Sequence, residues 1–150
     1  MKIVLGIDPG PTQSGIVRLR DDGVEDSAVL ANDLVLEEIR ETGADVIAIE
    51  MIASYGMPVG ADVFETCVWI GKFVREAEVH ASHARLIRIP RKDVKLHLCG
   101  TARAKDSNIR QRLIDLIGPQ GTKKQPGPTY GVKSHAWAAL AVAVTADATL

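Results

Sequence analysis

Two carboxylates, Asp8 and Glu50, stand in similar surroundings in this 150-residue chain. Asp8 closes the run IVLGID and Glu50 closes DVIAIE, so each time a short, β-branched apolar run stops at an acid. Runs of that length, bounded by Gly and Pro, predict buried strands. A carboxylate at the mouth of a buried strand costs desolvation free energy unless a cation or a cluster of backbone amides compensates it. For Asp8 alone both compensations are open. The pair narrows the choice. Neighbouring strands lie about 4.8 Å apart, so Asp8 and Glu50 could meet at one cation. Without one they would repel, and one of them would have to hold a proton. A metal shared by Asp8 and Glu50 is the chemistry this pattern favours.

The elements that must position these acids follow in order. After the first strand, Pro9-Gly10 opens a turn into a strand over Gln13–Arg20. The turn Asp21-Asp22-Gly23 leads to a third strand, Glu25–Ala31. Asp33 is placed to cap a short helix through Thr42, ended by Gly43, and Asp45–Glu50 is the next strand. A Gly/Pro-interrupted loop, Met51 to Ala61, carries Tyr55. The helix predicted over Asp62–Val79 has Val63, Phe64, Cys67, Ile70, Gly71 and Val74 at core-face spacing. Arg85–Pro90 reads as a fifth strand, Arg91–Cys99 as a basic helix stopped by Gly100, and Asp106 or Ser107 opens a helix through Ile117. Residues 119–133 form a long polar loop of the kind that is either functional or disordered. Ser134 then caps an apolar helix, HAWAALAVAVTA. The order fits one α/β domain over residues 1–150, a mixed five-stranded sheet flanked by helices on both faces, with no repeat and no linker.

Charge is unevenly distributed. The net charge is −1, yet residues 85–133 hold twelve Lys/Arg against three acids, and the remainder is acidic. Such a split predicts a face that attracts a polyanion. No run of eighteen apolar residues and no signal-peptide core is present, so a soluble, cytoplasmic protein with no membrane partner is expected. Cys67 and Cys99 lack metal-ligand spacing and read as buried thiols of a reducing compartment. His80 and His83 fall in a polar turn and read as surface residues, and Trp69 and Trp137 as core. Tyr55, in the loop beside Glu50, could stack on an unpaired base.

Taken together, these segments resemble the RuvC-like nucleases of the RNase H superfamily, over nearly the whole chain. GIDPGPTQSG is similar to the family's first-strand motif, with Asp8 as first metal ligand, and AIE at 48–50 to its fourth-strand motif, with Glu50 as second. VKLHLCGTARAKDSNIRQRL resembles the basic segment, which implies that Lys95 and Lys105, with Arg103 between them, contact DNA or the scissile phosphate. HAWAALAVA resembles the C-terminal helix that brings the remaining ligands as acid-x-x-acid. Here His135 and Ala138 stand at those two places. Imidazole is an acceptable ligand, more so for Mn²⁺ than Mg²⁺, while alanine supplies nothing. Asp106 could help, but a helix cap is its commoner role. The segments MPVG and FETCVWIG are most similar to short phage and prophage versions, implying a bacterial or phage origin.

The resemblance implies a Mg²⁺- or Mn²⁺-dependent endonuclease that resolves Holliday junctions by paired nicking. Metal would sit on Asp8, Glu50 and His135, Lys95 would offset transition-state charge, and Lys123 and Lys124 of the long loop would join the DNA contacts. Paired nicking implies a homodimer. Two other readings stay open. A non-catalytic junction binder would keep the basic half, and Ala138 speaks for it. An actin-like nucleotide-binding fold also starts on a strand ending in Asp-x-Gly, but it needs two such domains.

Overall fold

A sheet of five strands in the order β3-β2-β1-β4-β5 forms the centre of the computed structural model, which describes residues 2–21 and 23–150. The strands are β1 (Ile3–Asp8), β2 (Gln13–Arg20), β3 (Gly23–Ala31), β4 (Val46–Met51) and β5 (Arg85–Pro90). The helices are α1 (Asn32–Glu41), α2 (Ala61–His80), α3 (Arg91–Cys99), α4 (Asp106–Ile117) and α5 (Ala136–Thr149). β1, β2 and β3 form an antiparallel meander, whereas β1, β4 and β5 run parallel, with β2, β3 and α1 lying between β1 and β4 along the chain and α2 joining β4 to β5. The sheet is therefore mixed, as the sequence predicts. Of the turn read at Asp21-Asp22-Gly23, Asp22 lies outside the described residues, as does Met1.

Side-chain alternation assigns the two faces. Leu5, Ile7, Ile47 and Ile49 point to the side covered by α1 and α2, where they meet Val35, Ile39, Ile70 and Phe73. Val4, Val46 and Ala48 point to the other side, into a core with α3, α4 and α5. α5 lies across this second face and is buried almost all round, so it is apolar all round. Gly6 and Gly15 permit its close approach: a methyl on Gly6 would overlap the Ala139 carbonyl, and one on Gly15 would overlap the His135 carbonyl.

Several local expectations need correction. The sheet-facing residues of α2 are Thr66, Ile70, Phe73 and Ala77, about one position round from the predicted face, and Phe64, Cys67, Val68 and Gly71 are exposed. The helix is apolar on two sides, and periodicity alone could not tell which one the sheet covers. Cys67 is thus exposed and Cys99 half-buried rather than both being core thiols. Trp137 is buried, as expected, while Trp69 is half-buried under Lys72. His80 and His83 are exposed, in agreement with their polar setting.

Caps differ too. Asp33 is not the cap of α1, because the helix starts at Asn32 behind Ala31. Ser134 does not cap α5: its φ is +50° and His135 precedes the first helical residue. The 119–133 loop is folded rather than disordered. Gly121 bridges Pro126, Thr129 is fully buried and donates from Oγ1 to the Gly118 carbonyl at 2.9 Å, and a turn over 122–125 presents Lys123 and Lys124.

Candidate active site

The register of the parallel pair places the two acids. Ile7 lies opposite Ile49 on neighbouring strands, so the next residues, Asp8 and Glu50, emerge side by side. By alternation both point to the α5 face, with Val4 and Ala48 and away from Ile7 and Ile49. They line a cavity of about 470 Å³ together with Arg91, Asp106, Arg110, Ser134, His135, Trp137 and Ala138. The strand-end pairing read from sequence is present.

Asp8 is fixed by the turn that follows it. Within it the Ser14 hydroxyl donates to Asn32 Oδ1 at 2.6 Å and accepts from the Gly10 N–H at 3.2 Å, and Asn32 Nδ2 donates to the Gly10 carbonyl at 3.0 Å. Ser14 and Asn32 are each 1% exposed, so the triangle is closed to water and every bond counts. The first residue of α1 thereby holds the loop behind Asp8, a role that periodicity does not reveal. Asn32→Ala leaves the Ser14 hydroxyl and Gly10 carbonyl short of partners, and is expected to lower unfolding free energy by about 1–3 kcal/mol in a denaturant titration.

His135 reaches Asp8 through the close packing of α5. Gly15 is the ladder partner of Asp8, and its missing side chain leaves room for the His135 backbone. His135 Nδ1 then lies 3.0 Å from Asp8 Oδ2. Its ring is open to solvent on the outer side.

Glu50 faces a cation that the sequence reading missed. Arg91, the first residue of α3, directly follows Pro90, whose ladder neighbour is Met51. Its Nη1 donates to Glu50 Oε1 at 3.3 Å, and its Nη2 contacts the Asp106 carboxylate. Asp106 is therefore not a helix cap. Lys105 precedes α4, with its N–H donating to Asn108 Oδ1 at 2.9 Å, and the Asp106 carboxylate turns into the cleft. Arg110, on the same helix, lies over the Trp137 ring at 5.6 Å and adds a second missed cation.

The electrostatics show a site short of positive charge. Burial pushes the Glu50 carboxyl up to about 7, helped by the negative charge of Asp8 and opposed by Arg91. Asp8 is also raised, first by burial, against the pull of His135. Arg91 titrates above its ordinary value, because the Glu50 and Asp106 charges outweigh its burial. Two adjacent, desolvated carboxylates that one arginine does not neutralise are a donor set suited to a hard divalent cation. Among the described residues, no three carboxylate, imidazole or thiol groups stand together in metal-holding geometry. Glu50 is engaged by Arg91 and Asp8 by His135.

The other predicted residues lie outside this cleft. Lys95 and Tyr55 line an adjoining groove of about 550 Å³ with Met51, Ile52 and Lys92, and Glu50 and Arg91 belong to both cavities. Tyr55 is 64% exposed. Arg103, Lys105, Lys123 and Lys124 are exposed on α3–α4 and the long loop. His97 is exposed near the far end of α5, beside Arg112 and Asp147, away from the acids.

No protein-family model matches this sequence, and no curated protein matches it. Solved structures do. Thermus thermophilus RuvC superposes with a TM-score of 0.69 over 96% of this chain and 92% of that one, at 21% identity. T. thermophilus RuvC in complex with a Holliday junction substrate superposes with the same TM-score over 97% and 92%, at 20% identity. The fold is RuvC-like, an RNase H-like sheet with helices on both faces.

Proposed function

We propose that this chain is a divalent-metal-dependent endonuclease that resolves four-way DNA junctions by paired nicking. One observation carries the reading above the others. Two largely buried carboxylates from adjacent parallel strands share one cleft, and Glu50 there is raised to about 7 by its burial and by the neighbouring charge of Asp8, against the pull of Arg91. Asp8 and Glu50 would hold Mg²⁺ or Mn²⁺, with His135 at its border. Held there, such an ion would supply an activated water and offset the charge of the scissile phosphate during in-line displacement. Water oxygen then bonds to phosphorus as the bond to the 3′ oxygen breaks, leaving a 5′-phosphate and a 3′-hydroxyl.

The remaining roles belong to the chain's own groups. His135 would orient Asp8 through Nδ1, with the rest of its ring open to solvent. The groove with Lys95 and Tyr55 adjoins the cleft at Glu50, a path along which a strand could enter with a base stacked on Tyr55. Lys95 would offset phosphate charge there, and Arg103, Lys105, Lys123 and Lys124 would extend the contact to neighbouring arms.

Two symmetric nicks need two active sites, so the working unit is a homodimer. α2 offers a face for it: Phe64, Cys67, Val68 and Gly71 recur at helical spacing on the exposed side, with Phe64 64% and Val68 51% exposed. Exposed apolar stripes of this kind mark protein interfaces, and nothing lies within 4 Å of where a Gly71 methyl would stand. Phe64→Glu is expected to shift the protein from dimer to monomer in sedimentation at micromolar concentration. An unchanged sedimentation coefficient would move the interface elsewhere.

A second reading, a junction binder without turnover, is favoured by Ala138, which lines the cleft and offers no donor. One gel separates the two. A labelled four-way junction incubated with Mn²⁺ is nicked if the first reading holds, and only retarded if the second does. Among the described residues no helix is long and apolar enough to cross a membrane.

A further inference from the structure

Arg91 is the one cation shared by the catalytic cleft and the adjoining groove, among the residues that line both. Its two arms are engaged differently. Nη1 holds Glu50, whose side chain is 11% exposed and fixed at a strand end. Nη2 holds Asp106, whose side chain is 77% exposed and has no other hydrogen-bond partner among the described residues. The first partner is built into the site, and the second rests on its surface.

We propose that Arg91 is the phosphate-binding residue of this cleft, and that Asp106 is a built-in competitor that a DNA phosphate displaces from it. The inference rests on the nuclease reading above. A guanidinium fork accepts a carboxylate or a phosphate in the same planar geometry. A phosphate arriving from the groove meets Nη2 at the boundary of the two cavities, while Nη1 keeps Glu50 in place. The displaced Asp106 carboxylate is not stranded. It stands in the first turn of α4, where solvent already reaches it and the helix dipole favours negative charge. The exchange trades one anion for another at Arg91 and leaves no charge buried without a partner. It discriminates against weakly held anions, because each must outcompete a tethered carboxylate at high effective concentration.

The alternative role for Asp106, a metal ligand in place of the acid that position 138 lacks, agrees less well with its engagement by Arg91 and its exposure. Both roles are separable by experiment. Junction affinity is measured by fluorescence anisotropy in chelator for wild type, Asp106→Asn and Asp115→Asn, an exposed acid on the same helix. Mn²⁺ affinity is measured separately by electron paramagnetic resonance. Asp106→Asn is expected to tighten junction binding about tenfold, with Asp115→Asn changing it much less. In an Arg91→Gln background the gain from Asp106→Asn should vanish. Arg91→Lys, which keeps the charge and loses the fork, replaces Arg91→Gln if thermal melting shows that variant unfolded. Equal gains from both acid variants, or a gain that survives loss of Arg91, overturn the proposal. Weaker Mn²⁺ binding by Asp106→Asn without tighter DNA binding makes Asp106 a ligand instead, and also overturns it. If wild type nicks junctions while Asp106→Asn shows no gain, this inference fails alone. If wild type neither binds nor nicks them, the nuclease reading fails and takes this one with it.

Discussion

Asp8→Asn and Glu50→Gln are each expected to reduce junction cleavage by about 10²–10³-fold or more, and to leave junction binding intact or slightly tighter. The catalytic loss follows from the donor set. Either substitution keeps the shape of the side chain and removes one of the two charges that would hold a cation between the strand ends. Removing one preorganised electrostatic group from an active site typically costs a rate factor of that size. The expected gain in binding follows from the same charges, since both acids would face a bound phosphate and repel it when no cation intervenes. Single-turnover cleavage and anisotropy on the same protein preparations read both quantities. If either variant cleaves at close to the wild-type rate, the catalytic centre lies elsewhere.

The second large effect is on stability, and it can be read without DNA. Glu50 titrates near 7 in the folded chain against an ordinary value of 4.5. Between those values the unfolded chain has released a proton that the folded chain still holds, so stability falls as pH rises from about 4.5 to about 7 and is fully present only below that window. The displacement corresponds to about 3 kcal/mol, and the upward shift of Asp8 acts in the same direction at lower pH. With chelator present, wild type should therefore melt at higher temperature at pH 5 than at pH 8. Glu50→Gln, which cannot ionise, should melt several degrees above wild type at pH 8 and show the smaller pH dependence. Saturating Mn²⁺ should restore wild-type stability at pH 8, because a ligand bound only by the folded state stabilises it. Equal pH dependence for wild type and Glu50→Gln would mean that Glu50 is not held in the buried, charge-poor setting described here.

The two acids are legible in the amino-acid sequence because they rest on the strongest signals a chain carries. Two short apolar runs each end in a carboxylate, and strand alternation forces both onto one face once the strands are neighbours. The cations are not legible in the same way. Arg91 stands in the string RIPRKDVK, one of four basic residues among apolar ones and Asp93, and nothing local singles it out. Only the pairing of Pro90 with Met51 brings it to Glu50. Asp106 resembles a cap because acids favour helix starts, and its engagement by Arg91 is a tertiary contact between two helices. Asn32 is hidden for a similar reason: an asparagine at a helix start looks like capping chemistry, whereas here it locks the loop behind Asp8. The misplaced face of α2 carries its own lesson. A helix with two apolar stripes has two candidate core faces, and the stripe left outside is the more informative one, because an exposed apolar stripe is where a partner would dock.

The most direct test of the account uses a four-way junction with mobile arms, labelled on each strand in turn and incubated with the wild-type protein and Mn²⁺. After cleavage the products are treated with a DNA ligase. The account predicts nicks at symmetric positions on one pair of opposing strands, yielding two linear duplexes that ligase seals with no prior treatment, as 5′-phosphate and 3′-hydroxyl ends require. An intact junction bearing bound protein, or nicks that ligase cannot close, would contradict it.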